Sequence, residues 1–311
     1  MTTSAIAVTG LRKTYGDKTV LDGIDLDVPA GTVFSLLGPN GAGKTTTVNV
    51  LTTLTKADSG TVRVAGYDAA TAAKSVRSAI GVTGQFAAVD ELLTGRENLQ
   101  LMVDLSRGAA NGVVAELLER FELAEAADKP AATYSGGMRR KLDLAMTLVG
   151  NPQIIFLDEP TTGLDPRSRR TMWTIIRELL ADGVTIFLTT QYLDEADELA
   201  DRIAVLDKGR LVAQGTPDEL KRQIPGTHVR FRFESVAELD TAARILPGST
   251  RDDESLTLRV PSDGGTRSVR ELLDRLDEHS LDAGEFSVHT PDLDDVFLAL
   301  TGHDTTEVVA K

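Results

Sequence analysis

Gly38-Pro39-Asn40-Gly41-Ala42-Gly43-Lys44-Thr45-Thr46 is the stretch that decides how this chain folds. Before it runs Val33-Phe34-Ser35-Leu36-Leu37, an apolar segment that reads as a buried strand. After it comes Thr47-Val48-Asn49-Val50-Leu51, which can continue as a helix. A glycine-rich turn between strand and helix, closing on Lys-Thr, has the spacing of a phosphate-binding loop. Glycines let backbone N–H groups approach phosphate oxygens, and the helix N-terminus adds positive potential there. Lys44 can reach the β- and γ-phosphates, and the Thr45 hydroxyl can ligate Mg²⁺. A chance lysine after a glycine turn is the competing reading, and the complete motif in its strand–helix context outweighs it. The expected ligand is therefore a nucleoside triphosphate.

Composition bounds the rest. The 311 residues suffice for a large core and a second, smaller domain. Hydrophobic residues make up 41%, and no apolar run approaches the ~20 residues of a membrane helix. The opening Met1-Thr2-Thr3-Ser4 has neither a basic head nor an apolar block, so no signal peptide is expected. Without cysteine there are no disulfides and no thiolate metal sites, which fits a cytosolic setting. With 47 acidic against 33 basic residues, the formal charge of −14 argues against a nucleic-acid partner.

Between residues 5 and 66, short apolar segments punctuated by Gly and Pro predict an antiparallel β layer beside the phosphate loop. Tyr15 lies in what reads as a polar turn over residues 12–17, where its ring can stack on a base or cover a sheet edge. Gly81-Val82-Thr83-Gly84-Gln85-Phe86 reads as a strand ending in a candidate switch, and residues 90–150 as a helical insertion. Within it, Tyr134-Ser135-Gly136-Gly137-Met138-Arg139-Arg140-Lys141 predicts a second helix start, with Ser135 as N-cap and two glycines leaving N–H groups bare. Ile154-Ile155-Phe156-Leu157-Asp158-Glu159 predicts a buried strand ending in paired carboxylates. Asp158 can hold Mg²⁺ and Glu159 can polarise an attacking water. Another strand, residues 185–190, ends at Gln191, and Trp173 reads as a packing residue. Strands alternating with helices imply a mostly parallel sheet with ligands at its carboxyl edge, where Gly38, Asp158 and Gln191 all fall.

These segments, in this order, resemble the nucleotide-binding subunit of an ATP-binding cassette (ABC) transporter over roughly residues 5–220. The resemblance implies an α/β phosphate-loop (P-loop) nucleoside triphosphatase fold: a mostly parallel core sheet, an antiparallel layer and a helical subdomain. It also implies a homodimer of cassettes paired head to tail, with ATP held between Gly38–Thr46 of one copy and Ser135, Gly136 and Gly137 of the other. By the same resemblance Tyr15 stacks on adenine, Gln85 senses Mg²⁺ and relays to a membrane permease, and Asp165, in Gly163-Leu164-Asp165, couples the two sites. Two positions depart from the usual pattern. Met138 replaces a glutamine, and Gln191 replaces a histidine for which none of the chain's four histidines, all beyond residue 220, can substitute. Gln191 can orient water or donate to a γ-phosphate but carries no charge, so slower hydrolysis leaning on Glu159 is expected.

Tyr134–Asp143, Leu188–Asp197 and the ending Asp294-Asp295-Val296-Phe297-Leu298-Ala299-Leu300-Thr301-Gly302 resemble, more closely, the daunorubicin/doxorubicin-resistance type of exporter cassette. That likeness implies ATP hydrolysis driving export of a hydrophobic drug through a separate permease at the cytoplasmic face of the membrane. A non-transport cassette acting as a regulatory or immunity module is the alternative. The expected organisation is a cassette over 1–224, a linker at Pro225-Gly226, a small α+β accessory or dimerisation domain over 225–302, and a tail over 303–311.

Overall fold

A computed structural model describes residues 4–85, 88–106, 112–223, 227–289 and 291–301. Phe86, the linker at Pro225-Gly226, Gly302 and the 303–311 tail lie outside the described residues. The chain divides into two compact units, with the boundary between Pro217 and Asp218.

In chain order the first unit holds β1 (Ser4–Tyr15), β2 (Lys18–Pro29), β3 (Val33–Leu37), α1 (Lys44–Leu51), β4 (Ser59–Val64), β5 (Tyr67–Asp68), α2 (Ala73–Ala79) and β6 (Ile80–Thr83). The insertion follows as α3 (Gly95–Leu105), α4 (Val113–Arg120) and α5 (Gly136–Leu148). Then come β7 (Ile154–Asp158), α6 (Pro166–Ala181), β8 (Thr185–Thr190), α7 (Leu193–Leu199), β9 (Arg202–Asp207) and β10 (Arg210–Gly215). The helix α8 (Pro217–Gln223), read from sequence with the cassette, starts at the boundary and falls, apart from its proline, with the second unit.

One sheet runs in the order β2-β1-β4-β5 and a second in the order β10-β9-β3-β8-β7-β6. In the second, β6, β7, β8, β3 and β9 pair in parallel, and β10 closes the edge antiparallel. Every residue of β3, β7 and β8 is buried, as in a sheet covered on both faces. Alternation divides their side chains between two cores. Val33, Ile155, Leu157, Ile186 and Leu188 join α5 and α6, while Phe34, Leu36, Ile154, Phe156 and Phe187 face α1 and the antiparallel layer. The Phe187 ring lies 5.6 Å from Phe34 and 5.5 Å from Phe156. Burying each such ring contributes roughly 1.5–3 kcal/mol to holding the strand ends in line.

The antiparallel layer differs from its reading in one respect. The polar turn expected over residues 12–17 is mostly strand, because Tyr15 pairs with Lys18 and leaves only Gly16 and Asp17 to turn. Asp58 holds this end in place, accepting hydrogen bonds from Lys13 Nζ at 2.8 Å and Thr14 N at 2.6 Å. In the insertion, α3 starts on a reciprocal cap between Thr94 and Glu97.

The second unit contains β11 (His228–Arg232), α9 (Val236–Ile245), β12 (Thr250–Asp252), β13 (Thr257–Pro261), α10 (Thr266–Glu278), β14 (Glu285–His289) and α11 (Leu293–Thr301). Its sheet runs β12-β13-β11-β14, and Val229, Phe231, Leu239, Leu258 and Leu276 centre its own core. Among the described residues no helix is long and apolar enough to cross a membrane.

Candidate functional site

Because β3, β7 and β8 run parallel and side by side, Leu37, Asp158 and Thr190 end at one edge of the sheet. Asp158 is the last residue of β7, and Glu159 the first beyond it. The turns that leave this edge are tied together by the backbone. Gly38 N donates to Thr190 O at 3.2 Å, and Glu159 N donates to Thr189 O at 3.1 Å. Two glycines are forced by space. A Cβ on Gly38 would stand 2.3 Å from Leu206 O, and one on Gly43 2.7 Å from Leu21 Cδ2, with Gly43 also at φ +115°. The loop therefore lies hard against β9 and β2 before it enters α1, whose first residue is Lys44.

Lys44 is 5% exposed. Its ammonium donates to Gly38 O at 2.7 Å and Pro39 O at 3.2 Å, and pairs with Glu159 Oε1 at 3.2 Å. Burial pulls its pKa below the usual lysine range, opposed by the charges of Glu159 and Asp158. Asp158 is buried beside it and accepts a short hydrogen bond from the Thr189 hydroxyl. Glu159 is buried too, and its backbone sits in the left-handed region at φ +50°. For a residue with a long side chain that conformation is strained, and here it turns the carboxylate back onto Lys44. The Thr162 hydroxyl supports the other oxygen at 3.4 Å.

Thr45, next to the buried lysine, is exposed at the start of α1. Its hydroxyl and the Asp158 carboxylate are hard oxygen donors, the type that suits Mg²⁺. The glycine cradle over Gly38, Pro39, Asn40, Gly41, Ala42 and Gly43, ending in a lysine and Thr45-Thr46, fits a chain of phosphates.

Of the remaining expected residues, Ser135, Gly136, Gly137 and Asp165 are brought together where the start of α5 meets the start of α6. Ser135 caps α5, its oxygen accepting from Met138 N at 3.2 Å. A Cβ on Gly137 would stand 2.7 Å from Ser168 Oγ, so this tip lies against the start of α6. Asp165 caps α6 and accepts from the Arg167 and Ser168 backbone and from Ser168 Oγ at 2.6 Å. The Ser168 bonds hold its carboxyl below the usual range. Gln85 is exposed. Gln191 follows β8 and is half-buried. Tyr15 ends β1, 48% exposed, with the Lys13 ammonium 5.2 Å from its ring centre. The described histidines, His228, His279 and His289, all lie in the second unit.

Sequence reasoning missed Arg140, which it quoted only as part of the helix start over Tyr134–Lys141. It is buried and donates to Gly84 O at 2.7 Å, Pro160 O at 3.0 Å and Asp158 O at 3.1 Å, with Asp143 at 3.4 Å. Asp143 in turn accepts from Ala88 N at 2.9 Å. One guanidinium thus ties the Ser135 helix to the residue before Gln85 and to the end of β7. The only sequence signal was its helical phase, four residues after Gly136, beside the apolar Leu144.

A parallel sheet carrying a glycine cradle, a buried lysine and paired carboxylates at its carboxyl edge defines a phosphate-loop nucleotide-binding cassette. Residues 21–162 match the family described as ABC transporter. The daunorubicin resistance ATP-binding protein DrrA3 of Streptomyces coeruleorubidus is 48% identical over 309 residues, covering 98% of each chain. The doxorubicin resistance ATP-binding protein DrrA of Mycobacterium tuberculosis (strain CDC 1551 / Oshkosh) is 44% identical over 316 residues, covering 97% of this chain and 95% of that one. Among solved structures, an ATP-binding subunit of an ABC transporter superposes with a TM-score of 0.64 at 28% identity, over 71% of this chain and 93% of its own. An ATP-binding cassette solved as a dimer with ADP and phosphate gives 0.62 at 27% identity, over 68% of this chain and 98% of its own. This chain belongs to the ABC transporter family, as an ATP-binding subunit of the daunorubicin/doxorubicin-resistance group.

Proposed function

We propose that this chain is the ATP-hydrolysing motor of an exporter for a hydrophobic drug or antibiotic, working beneath a separate polytopic permease. It would sit at the cytoplasmic face of the membrane as a peripheral subunit. The observation that carries the reading is the Lys44–Glu159 contact at 3.2 Å, which puts a strained carboxylate where the phosphate loop presents its lysine. Gly38, Pro39, Asn40, Gly41, Ala42, Gly43, Lys44, Thr45 and Thr46 hold the triphosphate, and the Tyr15 ring stacks on adenine. Thr45 and Asp158 would hold Mg²⁺, with Gln85 close to it; the ion supplies charge neutralisation on the phosphates when bound. Glu159 orients and polarises the attacking water, and Gln191 donates to the γ-phosphate.

A second copy completes the site. Its Ser135, Gly136 and Gly137 present N–H groups and a hydroxyl to the γ-phosphate, and its Asp165 couples the two sites across the homodimer. The relatives' names, which describe resistance to daunorubicin and doxorubicin, support a planar aromatic cargo. The second unit, residues 225–302 with α8 before it, serves as an accessory or dimerisation domain to the cassette. Reconstitution with its permease in vesicles tests the function: ATP-dependent doxorubicin movement that disappears in Glu159→Gln is expected. ATP turnover that proceeds without moving any such drug sinks the export reading.

A further inference from the structure

The sheet of the second unit has a face that the ATPase reading leaves unused. On β11, Val229 and Phe231 point into the core, so His228, Arg230 and Arg232 lie on the opposite face. Register sets Arg259 directly across from Arg230 on one side, and His289 across from His228 on the other. The two histidine rings are 4.8 Å apart. Glu285 answers Arg232 at 3.9 Å, and Asp295 of α11 answers His289 at 3.3 Å. Among the described residues no carboxylate reaches Arg230 within ion-pair distance. Asp252 is only weakly engaged with Arg259: its carboxyl is held low first by Ser255, with Arg259 the smallest cause. Like charges directly opposite one another weaken an antiparallel pair, so two facing arginines in a chain of net charge −14 call for an anion. At Arg259 opens a cavity of about 790 Å³ whose polar lining is His228, His289, Arg259, Thr227, Thr250 and Asp295, the last engaged with His289, and whose apolar wall is Leu298 and Ala299 of α11.

We propose that this cavity binds a phosphate group, at a site separate from the triphosphate site of the cassette. Arg259 within it and Arg230, directly across the strand pair from Arg259, supply planar donor forks. The threonine hydroxyls and imidazoles supply further donors, a set that matches the oxygens of a tetrahedral phosphate. Either a free phosphomonoester or the headgroup of an anionic phospholipid presents that chemistry.

The test uses the full chain carrying Glu159→Gln and saturated with ATP and Mg²⁺, so that the triphosphate site is filled and not turned over. Inorganic phosphate should then raise the melting temperature by a few degrees. Arg230→Gln with Arg259→Gln should abolish that rise, and the paired Lys variants should keep part of it. ATP affinity should be equal in all of them, which separates this site from the cassette reading. Flotation with phosphatidylcholine vesicles containing phosphatidic acid, lost in the double Gln variant, assigns the ligand to a lipid headgroup. Phosphate binding without flotation assigns a free phosphomonoester. The proposal is overturned if neither probe binds, or if the double Gln variant binds as the native chain does.

Discussion

Two helix N-termini in the first unit offer N–H groups to an anion, and they are built in opposite ways. At the start of α1, Gly43 is wedged against Leu21, Lys44 is buried, and the cation is already held by two carbonyls and Glu159. At the start of α5, Ser135 and Gly136 are exposed, and the serine oxygen is engaged by Met138 N alone. The first end is preorganised, its charges and strain set by its own surroundings. The second presents donors outward, with nothing in its own chain to receive them among the described residues. That contrast is what a site divided between two copies requires: one half carries the chemistry and the other completes the enclosure.

The comparison breaks first at the buried end. Glu159→Gln removes the only carboxylate that reaches Lys44 Nζ within ion-pair distance among the described residues, and should lower ATP turnover by roughly 10²–10⁴-fold while leaving ATP binding in place. The same variant should accumulate as an ATP-bound dimer in size-exclusion chromatography. A variant that stays monomeric with ATP, with and without its permease, would remove the divided site altogether.

Next in size is the tie between the two ends. Arg140→Met strands the Asp143 carboxylate and leaves three carbonyls without their donor. We predict a loss of about 3–5 kcal/mol in denaturant unfolding. Arg140→Lys should recover only part of it, since one ammonium cannot span the same acceptors. Wild-type stability in Arg140→Met would show that the guanidinium is not what joins α5 to β7.

At the exposed end the effect should divide between stability and turnover. Ser135→Ala loses one helix cap, about 1 kcal/mol, and should leave nucleotide binding by the monomer unchanged. Turnover should fall at least tenfold, because the partner's γ-phosphate loses a donor, about 1.4 kcal/mol of transition-state contact. If nucleotide affinity of the monomer falls in step, Ser135 acts within its own chain and the contrast fails. A smaller change is expected at Gln191. Replacing it with histidine should raise turnover several-fold, and Gln191→Ala should lower it; equal rates in all three would strip the residue of its role.

The smallest expected effect is a pH dependence at the start of α6. Ser168 hydrogen bonds hold the Asp165 carboxyl below its usual range in the folded state. Such a group stabilises the fold above the ordinary carboxylate value of about 4, and that contribution fades as pH falls through the lowered value. Melting temperatures of Asp165→Asn should therefore converge on those of the native chain at low pH. A difference that widens on acidification contradicts the sign.

Much of this was legible because it is local. The phosphate loop, the buried strands and the paired carboxylates follow from residue type and period. What was not legible depends on partners distant in the chain. The polar stretch through Arg12–Tyr15 carries turn residues, yet Asp58 and Lys18 keep it extended. The short β12 has no pattern of its own and exists because β13 offers it an edge. Arg140 looks in sequence like one of three surface cations, and only the crossing of α5 over the strand ends turns it inward.

The order of strand, glycine cradle, helix and paired carboxylates was settled by residues 33–51 and 154–159 of the sequence, and the likeness to ABC cassettes by these together with Gln85, Ser135-Gly136-Gly137, Gly163-Leu164-Asp165 and Gln191, because helix and strand periods and the demands of phosphate on nearby N–H groups act over a few residues. That Glu159 adopts a left-handed backbone, that it meets Lys44, and that one guanidinium fastens α5 to the sheet edge were decided by the tertiary structure alone. Those contacts span over a hundred residues for Lys44 and Glu159, and burial in a low-dielectric corner is what gives each charge its strength.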